Sequence, residues 1–237
     1  MTLFEGPAYV VGAVAGALAG GAGAPAAVAG LGAAAFGGLD DLVGDGSSKG
    51  LRGHLAAACH GEVTTGAIKI LGLGATGLLS ARLIDRSGEH PVMATLVGGA
   101  VIAGSANVAN LLDLRPGRAL KVVLLLAALM AADGRGTHLT TATAGATAGA
   151  AIGALPDDLA GRSMLGDTGA NSAGAMLGTA LVARTGPRGR LLALVVLSAL
   201  TLASEKLSFT KVIESTPGLR ELDALGRPLG PSLPVPL

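Results

Sequence analysis

Three short polar motifs carry the residues best suited to chemistry. They are Gly38-Leu-Asp40-Asp41-Leu-Val-Gly-Asp45, Asn107-Val-Ala-Asn110-Leu-Leu-Asp113 and Gly166-Asp167-Thr-Gly169-Ala-Asn171. Carboxylates clustered in this way suit a hard divalent cation. Mg²⁺ is usually held by one or two carboxylates together with substrate phosphates. Asn107 and Asn110 stand at i and i+3, which turns both to one face of a helix. Asp113 follows three residues later, at the helix end. Lys49, Arg52, Arg115 and Arg118 lie near these motifs. Arginine forks suit phosphate oxygens, and the same residues suit the role of ordinary anchors at a membrane surface. Taken singly, each motif has a plain reading: a solvated acid pair at a helix end, polar glue between helices, and a glycine turn.

The elements that must position these motifs follow from composition. The chain has 237 residues, of which 50% are hydrophobic and only 14% charged. Its mean hydropathy is +0.61. Soluble domains carry about 25% charged residues, so these figures point to a polytopic membrane protein. They also exclude a disordered chain. A net charge of +1 with no Trp, three Phe and one Tyr leaves little for nucleic-acid binding. The single Cys59 rules out an intrachain disulfide and a cysteine-rich zinc site. There are 39 glycines. In a bilayer the backbone must satisfy itself as helix, and small residues let helices approach closely. The run Gly12-Ala-Val-Ala-Gly16-Ala-Leu-Ala-Gly20 has that spacing. Such faces also admit a homodimer.

The apolar segments predict an all-α bundle of about eight spans: Tyr9–Gly21, Pro25–Leu39, Thr64–Leu83, Pro91–Leu112, Ala119–Ala132, His138–Leu155, Ala170–Ala183 and Leu191–Ser204. The first two share one uncharged stretch, Pro7 to Leu39, which is too long for a single span of roughly 20 residues. A Gly- and Pro-rich break at 20–25 divides it, with one long tilted helix as the rival reading. No cleavable signal peptide is evident. Eight spans place residues 40–62, 113–118 and 156–169 on one side with both termini, so each motif sits where an apolar helix meets a loop on one face. That side holds nine Lys and Arg residues against six on the other, which makes it the cytoplasmic side of a multi-pass plasma-membrane protein. Residues 1–205 form the membrane domain. Residues 206–226 read as an amphipathic helix at the cytoplasmic interface, and 227–237 as a disordered tail.

Lesser candidates divide in the same way. Lys69 lies inside an apolar segment, where it either snorkels to the surface or reaches a phosphate in a cleft. His54 and His60 are six apart and do not share a helical face. Asp157 and Asp158 read as a solvated pair.

The order of the three motifs resembles that of the polyprenyl-phosphate N-acetylhexosamine-1-phosphate transferases, which include the phospho-N-acetylmuramoyl-pentapeptide translocase. Members carry an Asp-Asp pair ending a helix, then Asn-x-x-Asn-Leu-x-Asp, then Gly-Asp-x-Gly. Here these are residues 37–41, 107–113 and 166–169, and the resemblance covers about residues 25–185. It implies a Mg²⁺- or Mn²⁺-dependent enzyme of cell-envelope polysaccharide or peptidoglycan synthesis. The phosphate of a polyprenyl phosphate would attack the β-phosphate of a UDP-sugar, releasing UMP. By motif match Asp40, Asp41 and Asp167 are the catalytic residues, with Asp167 and Asp41 on the metal. Asn107, Asn110 and Asp113 would contact the donor, with Lys49, Arg115 and Arg118 on phosphates. The chain departs from the family in its short N-terminus, in Asp113-Leu-Arg-Pro-Gly where a second aspartate is usual, and in lacking the late His- or Arg-rich loop. Those departures favour a second reading: a catalytically degenerate relative that acts as a partner or regulator of envelope assembly. A small-residue transporter using the acids as an ion path is the third.

Overall fold

The computed structural model describes residues 4–43, 64–86, 90–132, 134 and 136–228. Ten helices lie among them: α1 Glu5–Ala19, α2 Gly23–Val43, α3 Thr65–Ile84, α4 Val92–Leu112, α5 Arg118–Ala132, α6 His138–Leu159, α7 Gly166–Arg184, α8 Pro187–Ser204, α9 Phe209–Ser215 and α10 Leu219–Ala224. There is no strand among the described residues. The helix starts follow local chemistry. The hydroxyl of Thr64 accepts from Ala67 N at 3.1 Å, and that of Thr137 from Thr140 N at 3.2 Å, satisfying free N–H groups of α3 and α6. Pro187 opens α8, where its missing N–H leaves nothing unpaired. The apolar stretch from Pro7 to Leu39 is two helices, divided where Gly21 and Gly23 take φ of +78° and +70°.

The long helices alternate in direction, which brings their ends together in two sets. The starts of α1, α3, α5 and α7 meet the ends of α2, α4, α6 and α8 at one end, joined by the contacts Lys69–Asp40, Asp41–Thr168 and Glu5–Ser163. At the opposite end Asp85 meets Arg190, and the Met130 carbonyl accepts from Arg184. Helix α7 is the centre of the bundle and packs on every helix from α1 to α6. Residues 169–180 are buried without interruption. Its small residues are what permit this. A Cβ on Gly174 would stand 2.3 Å from the Ser105 carbonyl oxygen of α4, so any side chain there would part the two helices.

Four helices, α2, α3, α4 and α8, are long and apolar enough to cross a membrane. The other four bundle helices differ for identifiable reasons. Helices α1 and α5 are only 15 residues each. Helices α6 and α7 are longer but rich in Thr, Gly, Asn and Ser, and α7 faces neighbours rather than lipid.

The polar stretch expected at 156–169 is corrected. Helix α6 continues through Pro156 to Leu159, and the Gly-Asp-Thr-Gly sequence is the first turn of α7 rather than a free turn. The continuation of α6 also changes the expected solvated pair. Asp157 is exposed and bonded to Arg162 (2.9 Å to Nε), whereas Asp158 is 1% exposed and faces the Gly117 backbone N–H. The C-terminal segment folds as α9 and α10 against the end that carries the motifs. Arg227, expected in a disordered tail, donates to the Pro116 carbonyl at 2.8 Å. The rest of that expectation, residues 229–237, lies outside the described residues.

Candidate functional site

Asp40 and Asp41 are adjacent on the last turn of α2, and a helix points adjacent residues in different directions. The structure uses both directions. Asp41 reaches across to the start of α7. One carboxylate oxygen accepts from Asp167 N at 3.0 Å, and the other accepts from Thr168 N at 2.9 Å and Thr168 Oγ1 at 2.7 Å. An acid at this place satisfies free N–H groups and meets the positive end of the helix. Asp41 is therefore the cap that fixes Asp167 in position, supplied from another helix. Gly37 permits the approach, since a Cβ there would lie 2.2 Å from the Asp167 carbonyl oxygen.

Asp40 points the other way, toward α3. Its Oδ2 lies 3.4 Å from Lys69 Nζ, and Asp167 Oδ2 is hydrogen-bonded to the same ammonium. The lysine side chain is 12% exposed, and those of Asp40 and Asp167 are 25% and 26% exposed. One ammonium thus faces two carboxyl groups, which are also hydrogen-bonded to each other. Asp40 and Lys69 stand on the wall of a cleft of about 410 Å³ between α3, α4 and α8. Asn107 and Asn110 line the same cleft, with Thr201 and Ser204 of α8 opposite. Asn107 Nδ2 donates to Thr201 Oγ1 at 3.1 Å. Ile70, Leu73, Ala103 and Leu111 give the rest of the wall an apolar lining.

The structure thus brings Asp40, Asp41, Asp167, Asn107 and Asn110 to one place. Asp113 is close but turned away from the cleft. It is buried against the start of α7, where its carboxylate faces the Gly166 N–H. Burial first, and then the nearby Asp158 carboxylate, push it up to about 7, against the pull of that N–H. Arg115 and Arg118, expected on phosphates, are occupied by the C-terminal helices. Arg118 forms a fork with Asp223 at 2.7 and 3.0 Å and donates to Thr210 at 2.9 Å, and Arg115 pairs with Glu214 at 2.6 Å. Lys49, Arg52, Cys59 and the two histidines at 54 and 60 lie outside the described residues. Lys69 was legible only as a charge inside an apolar segment. Thr201 and Ser204 carried no signal, being ordinary polar residues in a hydrophobic helix.

Carboxylate oxygens are the donor type that a Mg²⁺-type ion takes. Asp40 and Asp167 offer carboxylate oxygens that already converge on one cation, while both oxygens of Asp41 are occupied. No group of three acidic, histidine or cysteine side chains forms a metal cage among the described residues. Two carboxylates with open positions for phosphates are the common arrangement for Mg²⁺. No protein-family model matches the chain, and no curated protein matches it.

Proposed function

We propose that this chain is a multi-pass membrane transferase that moves a sugar 1-phosphate from a UDP-sugar to a polyprenyl phosphate, releasing UMP. The observation that carries the reading is the convergence of Asp40, Lys69 and Asp167 at a cleft that also presents Asn107 and Asn110. In this reading all eight long helices span the plasma membrane, and the motif end with α9 and α10 is cytoplasmic, where UDP-sugars are found.

Asp40 and Asp167 would hold a divalent cation, which would supply neutralisation of the diphosphate charge and stabilisation of the departing UMP. Lys69 supplies a fixed positive charge beside the reacting phosphates, in a partly dehydrated wall where such a charge counts for more than in water. Asn107 and Asn110 donate amide hydrogens to phosphate or sugar oxygens along the cleft. The aliphatic wall leaves room for the first units of a polyprenyl chain beside them. Asp41 and Asp113 are positioning residues, acting through the start of α7. An oxygen of the lipid phosphate forms the new P–O bond to the β-phosphorus. The bond from that phosphorus to the bridging oxygen breaks, and UMP leaves with the electron pair.

The test is UMP release by the purified chain in nanodiscs, given undecaprenyl phosphate and a panel of UDP-sugars, with Mg²⁺, Mn²⁺ or chelator. Metal-dependent release that Asp167→Asn abolishes is the expected result. The second reading, a degenerate partner or regulator of envelope assembly, is favoured by one observation. The arginines available for phosphate, Arg115 and Arg118, are bound to Glu214 and Asp223. Folded protein that releases no UMP from any donor overturns the transferase and selects that reading.

A further inference from the structure

A second groove lies on the other side of α8. It holds about 570 Å³ and runs between α5 and α8 over a floor of α4 and α7. That volume is within the range of small-molecule sites. It extends the full length of the bundle, from Leu112 and Leu200 at the motif end to Met130 and Gly189 at the other. Its walls are aliphatic, with Leu126, Leu181, Leu192 and Val196 among them. Thr185 is one of its few polar residues, and its hydroxyl donates to the Leu181 carbonyl at 2.7 Å. Nothing along these walls can orient a polar ligand, so the lining suits an alkyl chain.

The two mouths of the groove differ in how their cations are held. At the motif end Arg115 pairs with Glu214, Arg118 and Arg227 share Asp223, and Lys121 donates to the Leu222 and Asp223 carbonyls. At the opposite end the described residues include five arginines (82, 86, 184, 188 and 190) and one acid, Asp85, which is bound to Arg190. Arg188 sits one helical turn before Leu192 of the groove wall and is exposed. Among the described residues no carboxylate pairs with Arg188.

The geometry points to a binding site for an anionic phospholipid: one acyl chain along the α5–α8 groove, and the headgroup phosphate on Arg188 at the arginine-rich end. It is separate from the Asp40–Lys69–Asp167 cleft and does not depend on the reaction proposed there. Native mass spectrometry of the full chain in mild detergent tests it, with dioleoylphosphatidylglycerol or dioleoylphosphatidylcholine added. The expected result is preferential retention of phosphatidylglycerol. Arg188→Ala weakens that retention about tenfold, as for loss of one charge-assisted contact. Val196→Trp, an exposed position that can take a larger side chain, fills the groove and abolishes retention without reference to charge. Equal retention of the two lipids overturns the proposal. So does retention unchanged in both variants. A dimer that Val196→Trp disperses overturns it too, since the occupant is then a second copy. Displacement by undecaprenyl phosphate that is insensitive to Arg188→Ala assigns the groove to a polyprenyl chain instead.

Discussion

Asp85 and Arg190 at one end of the bundle, and Asp40, Lys69 and Asp167 at the other, join acids to bases in opposite ways. Arg190 is 1% exposed and forks onto Asp85 at 2.7 and 2.8 Å. Its remaining N–H groups reach the carbonyls of Thr185, Ala94 and Val182, each at 3.2 Å, and Asp85 also accepts from Thr95 at 2.8 Å. Charge and hydrogen bonding are both complete, and the pair ties α3, α4, α7 and α8 together. The other cluster has one cation for two carboxylates, keeps a quarter of each acid exposed, and opens into a cleft. A closed pair has nothing left to offer a ligand. An open one keeps solvent-facing carboxylate oxygens available to a ligand. The difference separates a closed ion pair from an open one on geometry alone.

The largest effect expected from that contrast is on stability at the closed end. Arg190→Ala leaves the Asp85 carboxylate buried and unpaired, which costs about 3–5 kcal/mol. Arg190→Lys does not restore it, because a single ammonium cannot fork. Thermal unfolding in nanodiscs measures both, and a wild-type midpoint for Arg190→Ala would break the comparison. Gly37→Ala comes next. Its Cβ would press on the Asp167 carbonyl at 2.2 Å, so α2 and α7 must part, at roughly 1–3 kcal/mol for an overpacked contact. The same movement draws Asp40 away from Asp167. Thermal unfolding and UMP release should therefore fall together in this variant. Full activity with lowered stability would show that the approach of Asp40 to Asp167 is dispensable.

The two ends also differ in how pH acts on them. Burial alone would raise Asp85, but the Arg190 fork holds its carboxyl below the ordinary value. Its contribution is present above the unfolded value and is lost as pH falls through the lowered folded one. Asp113, behind the motif end, is pushed up to about 7 from an ordinary 3.8. Its contribution is full below the unfolded value and disappears as pH rises through about 7. In that window the wild type loses roughly 1 kcal/mol per pH unit from this group. Unfolding midpoints across the window should decline in the wild type relative to Asp113→Asn. Parallel curves would mean that Asp113 is not buried as a neutral acid.

Much of this architecture was legible in the sequence. Apolar length and the glycine break gave the helices and their order, because in a chain this apolar almost any uncharged run is helix. The alternation of helix direction then placed the three motifs at one end. The roles inside the motifs were less legible. Asp40 and Asp41 look alike in sequence, and only the facing of α2 against α7 assigns one to the cleft and the other to a cap. Gly166 to Gly169 carries turn residues, yet it is a helix start, since Asp41 satisfies its N–H groups from outside. No local signal announces a cap donated from 126 residues away. Arg115 and Arg118 were ambiguous for a related reason: their partners, Glu214 and Asp223, lie in the segment read as one interfacial helix, which instead forms two short helices docked on the bundle.

The smallest stability effect, and the sharpest test of the open end, belongs to Lys69→Met. Methionine keeps an apolar stem out to Cε but removes the ammonium between Asp40 and Asp167. Because both carboxylates remain partly exposed, the change in unfolding free energy should stay below about 1 kcal/mol in Mg²⁺, in the range of partly solvated ion pairs. On the transferase reading UMP release should nevertheless collapse, since Lys69 is the fixed cation of that proposal. Removing the metal should then separate this variant from the wild type. In the wild type Lys69 neutralises one carboxylate when the divalent ion is chelated. In Lys69→Met nothing does, and the two acids repel. Chelation should therefore lower the midpoint of Lys69→Met by more than it lowers that of the wild type. Equal responses to chelation would place the divalent ion elsewhere and leave Lys69, Asp40 and Asp167 as a second structural ion pair, differing from Asp85 and Arg190 only in exposure.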